Sequence, residues 1–144
     1  MNKTYIDVMI RENRIRPKTT EITKVRSLLE NIEMNAEVTL EIALTKKSAT
    51  VIFRELYECI REIGDALWWL EGYEPLDHGI SIEILETQQV RNPQSLKHLE
   101  NYKKIRHDIQ YRGFKASEAQ TREVTEFWNT SGKEVLKQLK TKVA

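Results

Sequence analysis

From Val51 to Leu70 the chain places Val51, Ile52, Leu56, Cys59, Ile60, Ile63, Ala66, Leu67 and Leu70 at intervals of three or four residues. That spacing is the helical period, kept up for too long to be a strand. Gly72-Tyr73-Glu74-Pro75 then stops it, with a glycine suited to a helix end and a proline that cannot continue one. A helix with so long an apolar stripe cannot cover it alone. It needs other helices, and the rest of the chain supplies them.

Upstream, Thr19 or Thr20 is placed to cap a helix whose apolar positions are Ile22, Val25, Leu28, Leu29, Ile32, Ala36, Leu40, Ala43 and Leu44. Glu37 to Ile42 alternates briefly like a strand, but helical pattern on both sides keeps it in the helix. Ser48 is placed to cap the helix that follows. Downstream, Asp77 can cap a short helix carrying Ile80, Ile82, Ile84 and Leu85. Ser95 can cap one with Leu96, Leu99, Tyr102, Ile105 and Ile109 inward, ended by Gly113, and Ser117 starts the last. The short segment Tyr5–Ile10 is amphipathic and runs into the basic turn Arg14–Lys18. The prediction is all-α: an antiparallel up-and-down bundle of four to five helices, one domain over 1–144 with its core at 19–141. Trp68 and Trp69 are adjacent and therefore diverge by about 100°, so only one can sit centrally. The excess of large apolar residues around them suggests a twofold homodimer.

Cys59 is the single cysteine, which rules out an internal disulfide and fits a reducing cytoplasm. Lying among apolar residues, it reads as a buried thiol and not as a nucleophile. No window approaches the about 20 apolar residues of a membrane span, and the first residues lack an apolar run of signal-peptide length. A cytoplasmic protein with no membrane association is expected. The chain has no glycine-rich phosphate loop and no metal-ligand spacing, and its three histidines are scattered, so no metal or cofactor is expected.

Charge is distributed unevenly. Residues 91–116 hold seven of the 23 basic residues and two of the 22 acidic ones, leaving 16 basic against 20 acidic elsewhere. A nearly neutral protein has thus collected its positive charge on one segment, which favours an anionic partner such as phosphate or RNA. Within it Lys103, Lys104, Arg106 and Arg112 are the candidate RNA-binding residues. Arg106 neighbours Gln110, and His107 neighbours Tyr111, because residues four apart share a face. A guanidinium, an imidazole and a phenol would line one surface, making Arg106, His107 and Tyr111 the candidate catalytic residues. Metal-free RNA cleavage requires such groups, one to take the 2′-hydroxyl proton and one to steady the phosphate. The same pattern also describes a solvated basic helix end, where Lys and Arg favour the dipole.

The run Arg106-His107-Asp108-Ile109-Gln110-Tyr111-Arg112-Gly113 resembles the signature region of the HEPN superfamily, small helical proteins of prokaryotic defence and toxin–antitoxin systems. Ser48–Tyr73 and Asp77-His78 are similar to the second helix and following turn of such proteins, and the resemblance spans roughly residues 20–140. It implies a helical dimer in which an Arg and a distal His, four to six residues beyond it, form a metal-independent ribonuclease site between subunits. Arg106 and the polar His107 match that signature; Tyr111 stands where the distal His belongs. A phenol, with its pKa near about 10, is a poor base at neutral pH. The resemblance therefore implies an RNA-binding homodimer with weak or lost ribonuclease activity. Its alternative is a non-catalytic subunit partnering a nucleotidyltransferase antitoxin or another protein. The tyrosine that such a partner modifies in a related subgroup corresponds here to Gly113.

Overall fold

A computed structural model describes residues 2–144. In chain order the elements are α1 (Lys3–Arg11), β1 (Ile15–Pro17), α2 (Ile22–Leu40), α3 (Ala49–Leu70), β2 (Tyr73–Pro75), α4 (His78–Leu85), a 3-10 turn (Pro93–His98), α5 (Leu99–Arg112), α6 (Glu118–Phe127), a π turn (Trp128–Gly132) and α7 (Lys133–Lys142). The fold is an all-α helical bundle with α3 at its centre, packed against α2, α4, α5, α6 and α7. Five of the helical stretches are the predicted ones, α6 and α7 counting as one interrupted helix. No helix among the described residues is long and apolar enough to cross a membrane.

Two elements go beyond the prediction. The amphipathic N-terminal segment is itself a helix, and Met9 and Ile15, both upstream of residue 19, are buried in the core. The basic turn after it pairs with the segment following α3 as an antiparallel two-stranded sheet, Ile15 opposite Pro75 and Pro17 opposite Tyr73. The sheet turns α1 back across the bundle, where Tyr5 stacks on Trp68 at 6.5 Å. Trp68 is fully buried, donates its indole N–H to the Ile80 carbonyl at 2.9 Å, and meets Tyr73 edge-on. Trp69 is half-buried at the surface with the Lys18 ammonium over its ring. One tryptophan of the pair is therefore central, as the helical angle requires. Trp68 is covered within its own chain, so this part of the apolar excess around the tryptophans is used inside one chain.

The helix ends divide cleanly. Asp77 caps α4 by accepting the Ile80 N–H at 2.8 Å, Ser117 and Gln120 form a reciprocal capping box on α6, and Gly72 and Gly113 end α3 and α5 with positive φ. Three predicted caps serve elsewhere. Thr20 donates to the Trp69 carbonyl at 2.9 Å, and α2 starts at Ile22 without a side-chain cap. Ser48 folds back on the preceding loop and donates to the Ala43 carbonyl at 2.6 Å. Ser95 lies inside the 3-10 turn and bonds Ser131 at 2.6 Å, so α5 begins only at Leu99. Ile22 and Val51, read as inward, are exposed in the first turns of their helices, where a continuous stripe has nothing to pack against. Cys59 is buried, and burial pushes its thiol up to about 12.

The last helix carries a phase correction. Val124, Trp128, Gly132 and Leu136 are buried and four residues apart. Each such step overshoots a helical turn by about 40°, so three would swing the stripe about 120° away from the core. The π turn at Trp128–Gly132 fits one extra residue into a single turn and cancels most of that drift.

Candidate functional site

α5 owes its orientation to Leu99, Tyr102 and Ile105, which are buried against the core, Tyr102 meeting Phe53 and Phe127 edge-on. Fixing that side inward turns the intervening positions outward. Lys103, Lys104, Arg106, His107, Gln110 and Tyr111 all line one open groove of about 610 Å³. Its opposite wall comes from Tyr57 and Glu58 of α3 and from His78 and Gly79 at the start of α4.

The start of α4 is held in place by charge. Arg14 reaches from the turn after α1 to Asp77 (2.7 Å) and Glu83 (2.9 Å). Burial alone would raise the Asp77 carboxyl, but the Arg14 hydrogen bond and the Ile80 amide hold it below its ordinary value. The first turn of α4 lies so close to α5 that a Cβ on Gly79 would sit 3.7 Å from the Lys103 ammonium and 3.2 Å from the Arg14 guanidinium. The tighter of these contacts is with the Arg14 clamp, while the distance to Lys103 is ordinary packing.

Within the groove Arg106 donates to the Gln110 carbonyl oxygen at 2.6 Å, and the Gln110 amide donates to the Tyr111 hydroxyl at 3.3 Å. The His107 and Tyr111 rings lie 4.7 Å apart. Both neighbour relations expected from the spacing are thus present. Lys103 is paired with Glu100 at 3.1 Å. Lys104 and Arg106 have no carboxylate partner among the described residues, so two cations in the groove are left for an anion from outside. Glu58 forms its ion pair with Arg61 and not with either of them. Burial would raise the Glu58 carboxyl, yet Arg61, with His78 and Arg106 adding to it, keeps it below its ordinary value. Tyr57 is pushed up to about 12 by burial, so its phenol remains a donor at neutral pH.

Arg112, the fourth predicted RNA-binding residue, lies outside the groove and pairs with Asp108 at 3.6 Å. Lys103, Lys104, Arg106, His107 and Tyr111 are brought together. Spacing gave no sign of Tyr57, Glu58 and His78, because only the packing of α3, α4 and α5 brings them to one place. Chemically the site offers two cations without an ion-pair partner among the described residues, two imidazoles and two phenols around a cleft of a volume that takes a phosphodiester and its flanking groups. Comparison with protein-family profiles, with curated proteins and with solved structures finds no match to this chain.

Proposed function

We propose that this chain is a HEPN-like, homodimeric helical protein that binds RNA through the α5 groove, with metal-independent ribonuclease activity weak or lost, in a toxin–antitoxin or defence setting. The observation that supports this most is the pairing of Lys104 and Arg106, both without carboxylate partners, beside His107 in one open groove. A planar guanidinium held by a neutral amide stays free to take a phosphate in bidentate fashion. The weakness follows from Tyr111, a phenol at the position where the resemblance calls for an imidazole.

Replacing Lys103, Lys104 and Arg106 together by alanine is expected to weaken binding of a single-stranded RNA oligonucleotide at least tenfold. The slope of log K against log salt should fall by about two, at about 0.7 per lost phosphate contact. Titration by fluorescence anisotropy at several salt concentrations reads both. Unchanged low-salt affinity would favour the second reading, a non-catalytic subunit partnering a nucleotidyltransferase or another protein. That reading has its own support in Tyr111 (68% exposed) and Phe114 (41% exposed), aromatic side chains of the kind enriched in protein contacts.

Support for the dimer lies on the last turns of α2 and the residues just beyond it, where Ile42 follows the helix end, and not at the tryptophans. Met34, Val38 and Ile42 are exposed at successive intervals of four, an apolar stripe that a monomer leaves in water. Light scattering is expected to give about twice the 17.0 kDa chain mass, and Met34→Glu with Val38→Glu is expected to return the single-chain mass.

A further inference from the structure

The groove is lined by a second imidazole, that of His78, from a different helix than His107. His78 is the first residue of α4, exposed, and set behind a cap that Arg14 holds through Asp77. It faces the α5 helix across the groove, on the wall opposite His107. Glu58, on the same wall as His78, is close enough to both His78 and Arg106 for each to help hold its carboxyl ionised. From these positions, and resting on the RNA-binding reading above, we infer that His78 is the general base for RNA cleavage in this groove, standing in for the imidazole missing at Tyr111.

The step balances with groups present. A neutral His78 takes the proton of a ribose 2′-hydroxyl, and the freed oxygen attacks the adjacent phosphorus. The bond from phosphorus to the 5′-oxygen breaks, and that oxygen takes a proton from His107 in its imidazolium form. The products are a 2′,3′-cyclic phosphate and a 5′-hydroxyl end; water returns the exchanged proton, with no metal or redox partner involved. Arg106 binds the non-bridging oxygens as charge gathers on them. Glu58 is a positioning residue, stabilising the His78 imidazolium as it forms. Two imidazoles on opposite walls suit this chemistry because one must be neutral while the other is charged. His107 and Tyr111, with rings tilted against each other at 4.7 Å, both belong to α5, whereas His78 comes from α4. Other charged groups bear on His78: Asp65 beside Glu58 on α3, Arg61 between them, Asp77 and Arg14 at its own helix start, and Glu100, Lys103 and Lys104 on α5.

The test uses the full chain, a labelled single-stranded RNA and buffer containing EDTA. His78→Gln is expected to lower kcat about 100-fold, leaving affinity for the 2′-deoxy analogue of the same oligonucleotide within twofold. The pH–rate profile should lose its rise on the acidic side, whereas His107→Gln should lose the fall on the alkaline side. Glu58→Gln should lower kcat without changing affinity for the analogue. The His78 side chain is exposed and the Asp77 cap is untouched, so an unchanged melting curve separates a lost group from a lost fold. Cleavage by His78→Gln at the wild-type rate overturns the proposal. So does a wild-type protein that binds RNA and never cleaves it, though the RNA-binding reading then stands. Absence of binding to either oligonucleotide overturns both.

Discussion

Tyr111→His is expected to raise metal-independent RNA cleavage about 100-fold, the lower range of what a well-placed general base contributes. The position is 68% exposed, so an imidazole enters without repacking the core. The change gives up only the 3.3 Å hydrogen bond from Gln110 and the ring contact with His107. The new group lies five residues beyond Arg106, in the same groove as the guanidinium that would hold the phosphate. Arg106→Ala is expected to abolish the gain, and the products should end in a cyclic phosphate. Gel analysis of an end-labelled RNA in EDTA reads both. No gain with Arg106 intact would remove position 111 from the chemistry and leave it a contact surface.

Gly64→Ala is expected to cost about 3 kcal/mol of stability, the upper end of what overpacking a core produces. Gly64 is buried on α3 where α4 crosses it. A methyl group there would overlap the Ser81 carbonyl oxygen and lie 2.7 Å from its carbon. On helix propensity alone alanine would be favoured by up to about 1 kcal/mol. The sign of the measured change therefore reports which effect wins, and backbone against methyl leaves no flexible side chain to yield. In a chain of this size the loss corresponds to a fall in melting temperature of roughly 10 °C, readable by circular dichroism. A change below about 1 kcal/mol would mean that α4 can lift from α3 at little cost.

The parts of this fold that could be read from sequence are those settled by a few neighbouring residues. Asp77, Ser117 with Gln120, Gly72 and Gly113 do at their helix ends what their residue types predict, because each needs only a local amide or a positive φ. Thr20, Ser48 and Ser95 were equally plausible by type. They bond Trp69, Ala43 and Ser131 instead, and two of those three partners are dozens of residues away. The two strands escaped notice for the same reason, each being three residues long and defined only by the other. The site divides along the same line. Its α5 half follows from intervals of four on one helix. His78, Glu58 and Tyr57 enter it through the Arg14 clamp and the Gly64 crossing, neither of which leaves a periodic trace in the chain.

The π turn between α6 and α7 has a consequence for how this chain can change length. In an unbroken α-helix, losing one residue rotates everything beyond it by about 100° and exposes whatever was buried. Here the helix already holds a surplus residue at Trp128–Gly132, with Asn129 and Thr130 facing solvent. Removing one of those two would close the widened turn to an ordinary one while Val124 on one side and Leu136 on the other kept their inward faces. The turn is thus a slack link, a stretch of the last helix where a deletion could be accepted without the two halves losing step.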